Sequence, residues 1–397
     1  MPARNTRGNH TKFEILDALM EHGEMSRAGL AKMLSLSKPA TADHIESLIE
    51  IGLVEEVGEG SSTPGGGRKP RLLQFNQRFK AVIAVDISNI NPTIAVGDMK
   101  GYVLSETNFE IDVKQSAEEK VEKLIQEVKQ QIHKLQNIEV GIIVLALPGI
   151  FTSDNKLVFV HPQHYWAGMG LYDTFVKTFQ LPVLIKNDMS AAVLGEHTLG
   201  NGMGCDSMAY ISCGVGLGAG IVLENKLYEG KHCAGGEISF FTDREGVETG
   251  ETIETRISIG SMLERISQDV SRHRASKRVA EIVERKESLL FSDIIYLVQE
   301  EDAYILQIIK RIARDIGVAI SSLCALLDIE RVVIGGEYLH FYDVMFPTIH
   351  DILTRFTPFP PKLLPSKLGK DVGIIGGLIF GRDALIQDIV ASHQTQN

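Results

Sequence analysis

The chain has 397 residues, 44% of them hydrophobic, and a formal charge of −11 at pH 7. That length suits two or three globular domains, and the acidic balance argues against non-specific wrapping of nucleic acid. Four cysteines without a C-x-x-C pair, no apolar leader-like run and no long apolar stretch argue against a disulfide scaffold and a membrane span, so reduced thiols and a cytoplasmic location are expected.

The charge is uneven. The first 80 residues carry 11 basic and 10 acidic side chains, and the remainder carries 29 and 41. Phe13, Ile15, Leu16, Leu19 and Met20 recur at helical spacing and predict a first helix over about 11–21. Gly23 ends it. Ser26 caps a second helix through Leu30, Ala31 and Met33. Ser37 caps a third, with Pro39 in its first turn, where the missing N–H costs nothing. Ile45, Leu48 and Ile49 form its buried stripe, and Gly52 stops it.

Two short helices joined by a tight turn make a helix-turn-helix candidate. The opposite face of the third helix offers Lys38, Thr41, Ala42 and His44, with Arg27 and Ser37 at the helix starts. Small and polar side chains there suit base edges and phosphates. Leu53, Val54 and Val57 begin a ribbon that should pair with Arg71-Leu72-Leu73-Gln74-Phe75. Its tip, Ser61 to Arg71, holds three glycines and the cations Arg68, Lys69 and Arg71, which suit a phosphate backbone or minor groove. The alternative is a small helical protein-interaction domain. The reader is placed at residues 1–75 and a larger body at 80–397.

The body reads as α/β. Ala81 to Asp86 is an apolar strand ending in a carboxylate. Thr93 to Met99 and Val103 to Phe109 follow as strands, then a helix over about 116–136. Val140 to Leu147 runs into Pro148-Gly149, and Val183-Leu184-Ile185 into Lys186-Asn187-Asp188, with a helix over 190–200. The strand Met208 to Cys213 meets Gly214, Gly216, Gly218 and Gly220. A second strand follows where a dinucleotide site needs a helix, so a β-hairpin is expected, its turn lying near a nucleotide or holding no ligand. A long amphipathic helix over 304–327 feeds the strand Arg331 to Ile334 and Gly335-Gly336-Glu337.

Asn187-Asp188 is the sharpest chemical feature. An Asp at a strand end can orient or deprotonate a hydroxyl, and the Asn can donate to one hydroxyl and accept from another; the plain alternative is a helix cap. Glu237 and Glu254 add carboxylates able to grip vicinal hydroxyls.

Together these segments resemble the ROK family of repressors, open reading frames and sugar kinases, over residues 7–385. The likeness to its repressors rests on Ser26-Arg27-Ala28-Gly29-Leu30-Ala31, on Leu36-Ser37-Lys38-Pro39-Ala40-Thr41, and on Leu48 to Val54. The linker Gly66-Gly67-Arg68-Lys69-Pro70 and the glycine segments Ile211 to Gly230 and Val332 to Gly336 extend it. The resemblance implies an N-terminal winged helix-turn-helix, then a two-lobed actin-like ATPase (ribonuclease H-like) fold with a sugar cleft. It further implies Asn187 as a sugar ligand, Asp188 as the kinases' base (here vestigial), Glu237 and Glu254 as sugar carboxylates, and Gly149 as backbone close to the sugar.

The departures from the family pattern shape the expected function. Ser88 and Ile90 replace the glycine and threonine of the phosphate turn after Asp86. Phe240, Glu245, Val247 and Thr252 stand where the zinc histidine and cysteines belong, so no metal and no cofactor are expected. The leading reading is a sugar-responsive repressor. It binds double-stranded operator DNA as a homodimer, with a tetramer as the alternative, and lacks kinase activity. An active DNA-binding sugar kinase, or a degenerate body answering to a protein partner, are the other readings.

Overall fold

The computed structural model describes residues 7–60, 69–88, 91–112, 114–152, 154–160, 166 and 168–394. They fall into two compact units. One comprises Met1–Leu147, His161–Lys186 and Gly377–Asn397, the other Pro148–Val160 and Asn187–Gly376.

The first unit begins with α1 (Arg7–His22), β1 (Met25–Ser26), α2 (Arg27–Met33), α3 (Lys38–Glu50), β2 (Val54–Glu59) and β3 (Arg71–Phe75). Ser26 and Ser37 cap α2 and α3, as the side-chain chemistry predicts. The ribbon pairs Val54 with Phe75 and Glu59 with Arg71, and β1 adds a third strand on β3. A core of Leu16, Leu19, Leu30, Ile45, Leu48, Leu53, Leu73 and Phe75 holds helices and ribbon together. This is a winged helix-turn-helix.

The rest of this unit is built on a five-stranded sheet. It comprises β4 (Ala81–Asp86), β5 (Thr93–Gly97), β6 (Val103–Asn108), β7 (Val140–Leu147) and β10 (Val183–Asn187) in the order β10-β7-β4-β5-β6. β4, β5 and β6 form an antiparallel meander and β7 runs parallel to β4. Its helices are α4 (Ala117–Lys134) and α5 (Leu171–Phe179).

The second unit repeats that plan. β11 (Met208–Cys213), β12 (Leu217–Leu223) and β13 (Lys226–Leu227) form the meander, with β14 (Arg331–Gly335) and β15 (Lys362–Pro365) added in parallel, in the order β13-β12-β11-β14-β15. Its helices are α6 (Asp188–Leu199), α7 (Arg244–Thr249), α8 (Ile253–Ile257), α9 (Ile259–Ser271), α10 (Lys277–Lys286), α11 (Phe291–Gln299), α12 (Ala303–Leu327) and α13 (Tyr342–Phe356). A small hairpin, β8 (Ile150–Phe151) with β9 (Leu157–Phe159), stands apart. The last helix, α14 (Val372–Gln394), begins in the second unit and continues in the first.

The glycines after Cys213 divide their work. Gly214 and Gly216 make the hairpin turn, whereas Gly218 and Gly220 lie within β12 under the first turns of α6. A Cβ on Gly220 would sit 2.1 Å from the Met189 carbonyl oxygen and 2.7 Å from Val193. On another side of α6, a Cβ on Gly195 would come 2.7 Å from the Val372 carbonyl oxygen, and one on Gly376 would overlap Ala191. The helix is thus seated by absent side chains, and its fully buried Glu196 accepts from Asn201 N, Leu368 N and the Ser366 hydroxyl. Gly220→Ala should therefore cost about 1–3 kcal/mol or more in denaturant unfolding. Gly260→Ala, with no atom within 4 Å of the new Cβ, should be neutral or stabilising.

Candidate functional site

At the reading head, Ser37, Lys38 and Pro39 are exposed at the start of α3. Thr41 corrects the sequence expectation. It is 1% exposed and its hydroxyl donates to the Ser37 carbonyl at 2.9 Å, so it supports the helix start and does not reach a base edge. His44 is half-buried near Lys12 of α1, and burial, followed by the Lys12 charge, lowers its pKa. It is therefore a neutral imidazole at neutral pH. The Lys12 ammonium donates to the Ser47 hydroxyl at 2.6 Å.

The wing holds a second correction. Arg27 and Arg71 do not stand as independent cations. Arg27 Nη1 donates to Glu56 Oε1 at 2.8 Å, and Arg71 Nη1 donates to Glu56 Oε2. The two guanidinium hydrogen bonds, Arg27 first, hold the Glu56 carboxyl below its ordinary range. Lys69 stands 3.9 Å from Glu59. Arg68 lies outside the described residues. Glu56 carries no motif, and only the tertiary placement of β2 beside β3 and the start of α2 brings it to both arginines.

The proposed effector residues all belong to the second unit. Asn187 caps α6: its Oδ1 accepts from Ser190 N at 3.0 Å and its Nδ2 donates to the Gly149 carbonyl at 2.9 Å. One amide thus fixes the helix start and the turn after β7. Gly149 needs to be glycine, because its φ is +133° and a Cβ would lie 2.9 Å from the Phe159 carbonyl oxygen. Asp188 opens α6, with Oδ1 accepting from Met189 N at 3.0 Å.

Glu237 and Glu254 are both half-buried. Gly236, at φ +94°, lies against the Ala219 carbonyl of β12 and delivers Glu237 to a short 3-10 turn, Ile238–Phe240. Glu254 Oε2 accepts from Leu217 N, the first residue of β12, at 3.0 Å. Burial raises the Glu237 pKa and the Glu254 charge raises it further. Two carboxylates, one before the 3-10 turn and one on α8, thus lie toward one end of β12, and the Glu254 charge disfavours ionisation of Glu237.

The loop carrying them is tied by a charge clamp. Arg256, buried on α8, donates through both terminal nitrogens to Asp243, at 3.1 and 2.8 Å. Asp243 also caps α7, and Ile253 N donates to the Phe241 carbonyl at 2.7 Å. Among the described residues no group of three or more His, Cys, Asp and Glu could hold a metal ion.

At the glycine turn, Glu337 Oε2 accepts from Val215 N at 3.2 Å and lies where a Cβ on Gly214 would be. Gly336, at φ +85° and pressed on the Cys213 backbone, sets this approach. In the first unit, buried Asp86 accepts from Ser88 N at 2.8 Å, and burial raises its pKa; Ile90 lies outside the described residues.

The ROK family model matches residues 82–384. The chain belongs to the ROK family. A model described as winged helix-turn-helix DNA-binding matches residues 9–55. The xylose repressor of Caldicellulosiruptor bescii is 26% identical over 363 residues, 88% of this chain and 90% of the relative. The glucokinase of Halalkalibacterium halodurans is 28% identical over 62% of this chain and 77% of its own length. A crystal structure of a ROK family transcriptional regulator, described as a homologue of the E. coli MLC protein, superimposes with a TM-score of 0.81. It has 22% identity, over 98% of this chain and 99% of that one. Among the described residues no helix is long and apolar enough to cross a membrane.

Two measurements follow for this ROK protein. Glu56→Gln should release Arg27 of α2 and Arg71 of the wing, raise affinity for duplex DNA and steepen the log–log salt slope by about one per freed contact; titrations at several salt concentrations read it out. The raised Glu237 pKa means that its stability contribution is full below the ordinary carboxylate range and is lost as pH rises through the folded value. Glu237→Gln should therefore melt higher than the parent at pH 8 and converge with it at acid pH.

Proposed function

We propose that the protein is a sugar-responsive, DNA-binding transcriptional regulator, a repressor of carbohydrate-use genes, without phosphoryl-transfer activity. The feature that carries this reading is the union, in one chain, of a winged helix-turn-helix with a ROK body whose second unit carries Asn187, Asp188, Glu237 and Glu254. Half-buried carboxylates and an amide select hydroxyls, because an analogue lacking the hydroxyl leaves them without that partner. The similarity to a xylose repressor over nine-tenths of that protein's length supports a sugar as effector. The repeated strand order of the two sheets supports the actin-like assignment of the body.

The absence of kinase activity rests on the glycine turn. A backbone N–H that a phosphate would need is occupied by the Glu337 carboxylate, which would also repel phosphate. Ser88, in place of glycine, adds a side-chain hydrogen bond to Asp86 beside that of its N–H. The regulator acts as a homodimer, because two readers on a palindrome must span about one helical turn. A kinase reading keeps one favourable observation, Asp188 at the start of α6.

The test begins with an operator selected from random duplexes and titrated with D-xylose, D-glucose and their phosphates. One of the neutral sugars should shift operator affinity by about tenfold or more. Asp188→Ala should keep operator affinity and lose that response. ATP-dependent phosphorylation of either sugar, abolished by Asp188→Asn, would establish the kinase instead.

A further inference from the structure

The hairpin β8–β9 exposes three apolar residues in succession. Leu157, Val158 and Phe159 are 46%, 57% and 45% exposed, where a half-buried strand would alternate. Phe240, 58% exposed, meets Phe159 edge to face with ring centroids 6.0 Å apart. A contiguous exposed apolar patch of this kind marks an interaction surface.

Its placement ties it to the candidate site at both ends. The Phe159 carbonyl and the Phe151 ring lie 2.9 and 3.3 Å from where a Gly149 Cβ would be, and the Gly149 carbonyl is held by Asn187. Phe240 closes the 3-10 turn that Glu237 opens, its N–H donating to the Glu237 carbonyl at 3.3 Å. The aromatic pair therefore runs from the amide end to the carboxylate end. Ligand sites combine such apolar walls with a few fixed polar groups. A bare sugar offers one C–H face, which one ring covers. Two rings with Leu157 and Val158 offer more apolar surface than that.

We propose that Phe159 and Phe240 form an apolar subsite, and that the effector is a neutral glycoside: a hydroxylated ring for Asn187, Glu237 and Glu254, with an apolar aglycone on the phenylalanines. The proposal rests on the sugar reading and narrows it to a substrate class. The test is calorimetry on the full-length protein with D-xylose, D-glucose and their phenyl β-glycosides, for the parent, Phe159→Ala, Phe240→Ala and Phe240→Leu. At least one phenyl glycoside should bind about tenfold or more tighter than its parent sugar. Either alanine variant should bring that ratio close to one, by weakening the phenyl glycoside several-fold more than the parent sugar. Phe240→Leu, which keeps an apolar side chain, should retain part of the preference, and melting curves of all variants report whether the fold is kept. A parent sugar that binds as well as its phenyl glycoside, or a preference unchanged in both alanine variants, would overturn this proposal and leave the sugar reading standing. Binding of none of the four compounds would overturn both.

Discussion

The second unit depends on close contact between α6 and its neighbours. Gly218 and Gly220 let the first turns of α6 settle on β12, and Gly195 and Gly376 let α14 approach it. Nothing larger fits, since the nearest atoms at Gly195, Gly220 and Gly376 are backbone. Because the helix start is set by this contact, the positions of Asn187 and Asp188 follow from it. Gly236 on Ala219 and Glu254 on Leu217 N refer the other two polar groups to the same strand. β12 is thus the common datum of the candidate effector site, and a shift of one glycine contact would move several hydrogen-bonding groups together.

Several charges of this protein are taken up by internal partners. Glu56 ties Arg27 of α2 and Arg71 of the wing, Asp243 ties Arg256, Glu337 takes an amide of the glycine turn and Glu254 takes another at the head of β12. The consequence differs with location. On the wing the pairing lowers the cationic field offered to DNA. At the glycine turn it fills an anion-accepting position. On the loop 237–257 it does the work of a cross-link, because a buried guanidinium held by two parallel hydrogen bonds resists both translation and rotation. Glu237 differs, since beside its hydrogen bond with Ser239 its charged neighbour is another carboxylate. A hydroxylated ligand donating to both groups would relieve that repulsion.

Much of the fold was legible along the chain. The caps Ser26 and Ser37, Pro39 in the first turn of α3 and the strand Arg71–Phe75 are local features, decided by side-chain chemistry within a few residues. The apolar runs that became β4, β7, β11 and β14 are fully buried or nearly so, and such strands announce themselves. Residues 259–299 form three helices that the apolar pattern does not separate, and the short strands β8 and β9 carry too few residues to show a period.

The amino-acid sequence by itself determined the winged reader, the α/β body and the identity of the polar groups at the ends of strands, because each rests on periodicity, capping or a short motif. Only the tertiary structure decided which way those groups face and what they meet. Thr41 turns inward and His44 comes near Lys12 because α3 is docked on α1. Glu56 becomes the partner of Arg71 because β2 is paired with β3, and of Arg27 because α2 starts beside that ribbon. Glu237 meets Glu254, and Phe159 meets Phe240, across separations in sequence that no pattern spans. Side-chain encounters of this kind are set by packing over the whole unit, and packing is not written in any local stretch of residues.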